Sequence, residues 1–379
     1  MSEFAALLSP PGAALLAELS GADDLGSLRL ATELRQRYPS ELVAAGLTQA
    51  ELRRAARAKF TRADRMFFTR AGLEQASAEV VSRHRAVRFA GRSRLADLCT
   101  GIGGDLIALA DGHDVLAVDV DPVHLRMAQL NAATYGVTAR TQQADVRDVD
   151  LSAVDAAFVD PTRRTSTRRL RTGDSEPPLD WCLALADRVP AVGVKLAPGL
   201  DRASVPDGWE VEFVADRREL KEAAIWSPAL ATTSRRATIL PGGDTLTPDG
   251  GGSGRVGEPA AYLLDPNPAI TRAGLVEELA RLTGTWKIDE HIAFLAADRP
   301  VHTPFARTLR VLESAPWKEK LLAARLRALD IGAVDIRRRG LAGNVEQLHH
   351  RLKLTGHGRK ATLVMTRMQG RPWSLVCVD

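Results

Sequence analysis

Between residues 93 and 227 short apolar runs alternate with helical stretches and turn signals. That alternation restricts the chain to a sheet whose strands are joined through helical crossovers. Strands are predicted near 94–99, 114–119, 137–141, 154–160, 189–197 and 209–215, with another near 222–227. The last two leave no room for a helical crossover, so they are expected to pair antiparallel and to close one edge of an otherwise parallel sheet. Ahead of this region, residues 1 to about 85 read as helices, with helical spacing in "ELVAAGLTQAELRRAARAKF" and "GLEQASAEVVSRHRAVRF".

At 379 residues the chain has length for two or three domains. The expected division is a helical region at 1–85, an α/β core at 86–232, a connecting strand and helix unit at 233–303, and a small basic α+β module at 304–379. "PGGDTLTPDGGGSGRVGEP", residues 241–259, is rich in Gly and Pro and is expected to be a flexible loop, either a linker or the long connection of a hairpin between "RATIL" and "AAYLL". In the last module helices are expected at 317–328 and 343–353, and strands at 333–338, 361–366 and 373–377.

Charge separates this module from the rest. The formal net charge is only +4, yet residues from 301 onward carry fifteen Lys and Arg against six acids, so the remainder is net acidic. Such a module suits a polyanion, although a solvated basic face would carry the same charges. Cys99, Cys182 and Cys377 stand far apart without a CxxC pairing, which excludes a disulfide framework and implies a reducing compartment. The eight histidines show no ligand spacing, so no metal is expected. No apolar run is long enough to span a bilayer, and "MSEFAALLSPPGAALLAELS" lacks the basic start and long apolar core of a signal peptide, which gives a cytoplasmic expectation and no membrane partner.

The chemistry is carried by "LADLCTGIGGD", residues 95–105. A strand followed by a glycine turn and a helix presents backbone N–H groups to a ligand. A dinucleotide fingerprint would require glycine at 106, where Leu106 stands, so pyrophosphate is disfavoured. Acids at successive strand ends suit S-adenosylmethionine better. Asp97 can meet its ammonium, the turn at Gly101 and Gly103 its carboxylate, Asp119 in "VLAVDVDP" the ribose hydroxyls, and Asp145 in "QQADVRD" the adenine amino group.

"DLCTGIGGD", "AVDVDP", "QADV" and "VDPTRR" follow the order of the class I methyltransferase motifs, with Cys99 where the commonest first motif has glycine. "DRMFFTRAGLEQAS" resembles the segment preceding the core of trimethylguanosine synthase-like enzymes, and the whole chain resembles bacterial methyltransferases with a THUMP-like carboxyl-terminal domain. The resemblance implies a Rossmann-like class I sheet over about 90–230, the cofactor roles above, and closure over the cofactor by Phe67, Phe68 or Thr69, unless "MFF" is simply a core-facing stripe. For the module at 304–379 it implies binding of structured RNA.

"FVDPTRRTSTRRLR" follows the fourth strand, from which class I enzymes address their substrate. In amino-methylating members the comparable tetrapeptide is an acid or amide, two prolines and an aromatic, whose polar groups hold an exocyclic amine with its lone pair towards the methyl. Asp160 and Pro161 fit this pattern as the catalytic pair, while Thr162 and Arg163 depart from it. Arg163, Arg164, Arg168, Arg169 and Arg171 place five cations beside the expected transfer site, which points to a phosphate-rich substrate unless the stretch is simply a solvated loop. Lys195 in "VGVKLAPGLD" is expected either to contact substrate phosphate or to pair with Asp160, and Trp226 either to stack on a base or, the favoured reading, to fill the sheet. Arg337 and Arg338 in "IRRRG" are expected to contact RNA. The expectation is a methyltransferase acting on a base amino group of tRNA or rRNA. Its alternatives are a non-catalytic RNA-binding protein on the same fold and a methyltransferase for a protein or a small anion.

Overall fold

A computed structural model describes residues 3–163, 175–354 and 356–379. The chain divides into two compact units, residues 1–210 with 223–232, and residues 211–222 with 233–379.

The first unit begins with α1 (Glu3–Leu7), α2 (Pro10–Ser20), α3 (Leu28–Arg35), α4 (Ser40–Ala56), α5 (Arg70–Gln75) and α6 (Glu79–Val87). Side-chain oxygens of Ser9, Ser27 and Thr69 accept from the first-turn amides of α2, α3 and α5, satisfying donors that helix geometry leaves unpaired. Leu15, Leu19, Leu34 and Val43 close one core among these helices. A second core, containing Phe60, Met66, Phe68, Ile102 and Met127, joins the helices to the glycine turn.

The sheet of this unit contains β1 (Arg94–Leu98), β2 (Asp114–Asp119), β3 (Arg140–Gln143), β4 (Ala156–Val159), β5 (Ala191–Leu196) and part of β7 (Glu219–Trp226), which follows β6 (Glu210–Asp216). Their order is β3-β2-β1-β4-β5-β7. The first five run parallel, and β7 lies antiparallel to β5 from Gly193↔Trp226 to Leu196↔Ala223. Strand β4, "AAFV", is fully buried, as a central parallel strand covered on both faces must be. Helices α7 (Leu106–Leu109), α8 (Pro122–Thr134) and α9 (Leu179–Ala184) follow β1, β2 and β4 in sequence. Trp226 fills the sheet core, edge-on to Phe89 at 5.8 Å, and the missing side chain of Gly193 makes its room.

Only Arg217 and Arg218 separate β6 from β7, with Arg217 in the left-handed region at φ +53. In the second unit β6 runs parallel to β8 (Arg235–Leu240), which turns antiparallel into β9 (Asp244–Leu246). The hairpin reading of 241–259 is therefore corrected. "RATIL" pairs with β6 and β9, while β10 (Tyr262–Pro266), from "AAYLL", belongs to a different sheet. Parts of the loop are held by contacts: Arg281 grips Asp249, and the Gly254 amide donates to Glu277.

That other sheet has seven strands. It contains β10, β11 (Trp286–Lys287), β12 (Leu295–Ala297), β13 (Ala306–Pro316), β14 (Ile331–Arg338), β15 (Arg359–Met368) and β16 (Arg371–Val378), in the order β11-β12-β10-β13-β16-β15-β14. Helices α10 (Pro268–Ala273), α11 (Val276–Thr283), α12 (Glu319–Ala328) and α13 (Val345–Leu352) complete the unit. The segments 259–303 and 304–379 share this sheet through the pairing of β10 with β13. All three cysteines are free, and burial pushes the thiols of Cys182 and Cys377 up to about 12. No helix among the described residues is long and apolar enough to cross a membrane.

Candidate active site

The strand order changes direction at β1, which has β2 on one side and β4 on the other. The carboxyl ends of two such strands leave a crevice between loops that depart in opposite directions, the usual ligand position in an open α/β sheet. β1 leaves it through Cys99–Gly104, a turn in which Cys99, Gly101 and Gly103 take φ values of +63, +54 and +85. At Cys99 a side chain occupies the left-handed region, which costs about 1–2 kcal/mol. A Cβ on Gly101 would meet nothing within 4 Å, so the backbone is open to an approaching group. A Cβ on Gly103 would come within 3.0 Å of Ala128 on α8, so that glycine serves close helix packing.

Asp97 lies in β1 with its side chain almost wholly buried. One carboxylate oxygen accepts from the Thr100 hydroxyl, while Oδ1 has no hydrogen-bond partner among the described residues. Burial raises its pKa from 3.8 to about 7; Thr100 opposes the rise, the nearby charges of Asp160 and Asp119 add to it, and Arg85 counters it. Three carboxylates thus converge on the mouth of the crevice. Asp119 ends β2 and latches the turn, accepting from the Gly101 amide at 2.8 Å and the Asp121 amide at 2.9 Å. Each of its oxygens retains a lone pair. Just beyond β3, the Ala144 amide donates to the Asp119 carbonyl at 3.2 Å, which sets Asp145 beside it. The carboxylate of Asp145 is already gripped by the Arg147 guanidinium at 2.5 and 2.9 Å, which with the Arg147 amide holds its pKa down to about 2.

Asp160 follows β4, and its amide donates to the Leu98 carbonyl at 3.1 Å, tying the ends of β4 and β1 together. Its carboxylate accepts from Lys195 Nζ at 2.7 Å, the pairing that the sequence offered beside a contact with substrate phosphate. The same ammonium donates to the Gln75 carbonyl at 3.3 Å. Pro161 is buried. The backbone of Thr162 and Arg163 pairs antiparallel with Ser175 and Glu176. The Arg163 side chain and the whole of Arg164, Arg168, Arg169 and Arg171 lie outside the described residues.

Phe68 is buried in the second helical core against Phe60, and Thr69 caps α5 while its hydroxyl hydrogen-bonds His124 at 2.9 Å. Asn131, fully buried on α8, accepts from the Phe67 amide and donates to the carbonyls of Phe67 and Ile102, so one side chain staples "MFF" to the glycine turn. Beneath the turn the buried Arg85 of α6 pairs with Asp105, which also accepts from the Ser77 hydroxyl at 2.9 Å. Sequence reasoning missed Thr100, Asn131, Arg85 and His124. Asp105 stood in the quoted motif, but nothing in "SRHRAVRF" distinguishes the one arginine that is buried.

Arg337 and Arg338 lie exposed at the end of β14 in the second unit. Among the described residues no group of three or more His, Cys, Asp or Glu is placed to hold a metal ion.

The orphaned oxygen of Asp97 suits an ammonium, the open face of Gly101 admits a carboxylate to backbone donors, and Asp119 retains acceptors for hydroxyls. This donor set fits the amino acid and ribose parts of S-adenosylmethionine.

Residues 92–159 match the family described as RNA cap guanine-N2 methyltransferase, residues 306–378 the family described as THUMP domain-like, and residues 1–56 a domain of unknown function. Two proteins of Mycobacterium tuberculosis, from strains CDC 1551 and H37Rv, are described as uncharacterised S-adenosylmethionine-dependent methyltransferases. Each is 38% identical over 312 residues, which covers 79% of this chain and 84% of theirs. A crystal structure named for a methyltransferase of Porphyromonas gingivalis W83 shares the fold, with a TM-score of 0.76 over 96% of both chains at 21% identity.

Proposed function

The chain belongs to the S-adenosylmethionine-dependent methyltransferases, and from that premise we propose that it methylates a base amino group of structured RNA, tRNA or rRNA. In this reading the core at 86–232 transfers the methyl and the module at 304–379 holds the RNA. The matches to a guanine-N2 methyltransferase family and a THUMP domain-like family support an RNA acceptor with an exocyclic amine.

The observation that carries the reading is Asp160, a carboxylate fixed at the end of β4 by Lys195 and close enough to Asp97 to raise its pKa. Bound S-adenosylmethionine supplies a methyl group on a sulfonium, an electrophile that needs alignment more than acid catalysis. Asp97 holds the ammonium, Gly101 and its neighbours the carboxylate, Asp119 the ribose and Asp145 the adenine edge, while Phe68 and Thr69 form the wall behind the turn. Asp160 accepts an N–H of the acceptor amine and turns the nitrogen lone pair towards the methyl, with Pro161 stiffening the backbone beside it. Lys195 keeps the carboxylate in that orientation. Arg163 and Arg164 follow Asp160 in the chain and supply cations for the phosphates flanking the target base.

The test is transfer of radiolabelled methyl from S-adenosylmethionine to total RNA, and in parallel to total protein, from source cells lacking the gene. Asp160→Ala is expected to lower transfer to RNA by at least a hundredfold while leaving cofactor affinity within about threefold. Label in protein alone would replace the RNA acceptor with a protein one.

A further inference from the structure

The second unit contains a cavity of about 220 Å³ lined by Arg218, Asp265, Pro268 and residues 336–339, three of which are arginines. Four arginines therefore line a cavity that has a single carboxylate, and two of them, Arg218 and Arg339, pair with it. Asp265 is buried and uses both oxygens as anchors, accepting from Arg218 at 2.8 Å and from Arg339 at 2.9 Å. Arg339 is held further by the Pro266 and Ala293 carbonyls and lies over the Phe294 ring at 5.0 Å. Arg338 donates to the Gly343 carbonyl. Arg337 is exposed and has no hydrogen-bond or ion-pair partner among the described residues.

Like charges held this close repel. Burial, then the field of Arg337, Arg307 and Arg339, lowers the pKa of Arg218 against the pull of Asp265, and Arg339 is lowered by burial and by Arg337 in the same way. One carboxylate does not neutralise the group; it fixes the guanidiniums of Arg218 and Arg339 in place beside the exposed Arg337 and Arg338. Guanidinium forks match tetrahedral oxyanions, and several can bind one phosphate at once. The cavity is smaller than the roughly 300–1,000 Å³ of pockets that enclose whole small molecules, so its occupant is a single group of a ligand that extends beyond it.

We propose that Arg218, Arg337, Arg338 and Arg339, braced by Asp265, form a phosphate-binding pocket that takes a backbone phosphate of the acceptor RNA. Arg218 and Asp265 lie outside the THUMP-like match at 306–378, so the pocket combines that module with the β6–β7 turn and the end of β10. The choice of RNA as the source of the phosphate rests on the proposed acceptor; the pocket itself does not.

Two titrations of the full chain test it. Fluorescence anisotropy with labelled bulk tRNA between 50 and 200 mM NaCl gives the slope of log affinity against log salt, and calorimetry with inorganic phosphate probes the pocket without RNA. The double variant Arg337→Gln/Arg338→Gln is expected to flatten the slope by about 0.7–0.9 and to weaken binding roughly three- to tenfold. The control Arg299→Gln, at an exposed arginine outside the cavity, should leave both unchanged. An unchanged thermal midpoint shows that the double variant is folded. If the wild type binds inorganic phosphate but not tRNA, and the double variant loses it, the pocket stands with free phosphate as its source and the RNA reading falls. If neither the salt slope nor phosphate binding responds to the double variant, the pocket assignment is overturned, whatever the methyl acceptor proves to be.

Discussion

Asp97 carries a carboxyl whose protonation changes near neutral pH, because burial and two neighbouring acids disfavour its charge. A protonated carboxyl cannot pair with an ammonium, so cofactor affinity is expected to fall by up to about tenfold per pH unit below 7 and to level off above it. Calorimetry between pH 5.5 and 8.5 measures this, and Asp97→Asn should bind weakly and without the pH dependence. The sign for folding is opposite. With the pKa raised from 3.8 to about 7, this group's contribution to stability is fully present below about 4 and is lost as pH rises through 7. A thermal midpoint of the cofactor-free protein that rose steadily from pH 5 to 8 would exclude Asp97 as the controlling group. The positions of Asp97, Asp119 and Asp160 were readable because strand ends are readable. Lys195 was offered as a partner of Asp160 only as one of two alternatives, and Thr100 and Arg85 are ordinary polar residues until folding brings them within reach.

At the scale of elements, apolar runs placed the strands within a few residues: 94–99 became Arg94–Leu98 and 114–119 became Asp114–Asp119. β13 was overlooked because its eleven residues, "ARTLRVLESAP", are mostly half-exposed and carry no clean alternation. The fit of β5 to β7 gives an element-scale prediction. A methyl at position 193 would stand 2.6 Å from the Trp226 ring, and that ring is wedged against Phe89. Gly193→Ala is expected to destabilise by about 1–3 kcal/mol through overpacking, read as a lowered urea midpoint with blunted near-ultraviolet dichroism. A midpoint within error of wild type would mean that the strands separate without cost. Periodicity could not show this contact, because Gly193 and Trp226 are distant in sequence and meet only through the register of β5 on β7.

For the whole molecule, the basic module is defined by charge and by its family match, yet its first strand completes a sheet begun earlier in the chain. β13 pairs on one edge with β10 and on the other with β16. Ending the chain at residue 303 would strip β10 of that neighbour and leave an apolar edge open, the usual route to aggregation. Such a truncation is expected to be largely insoluble or oligomeric by size-exclusion chromatography, whereas a monodisperse fragment would show that the connecting unit does not need β13. Tests of the module's role therefore belong on the full chain with point variants.

The sequence by itself determined the class of the fold, the glycine turn, the acids at the strand ends, the cofactor and the location of the basic charge, because these depend on local periodicity, backbone freedom and composition. Tertiary structure alone decided which polar atoms are left without partners and which charges are held together. It isolated one oxygen of Asp97, set Lys195 against Asp160, and brought Arg218 and Arg339 together on Asp265. These outcomes depend on distances between residues far apart in the chain, and at such distances burial and the fields of neighbouring charges, rather than residue type, set what a side chain can bind.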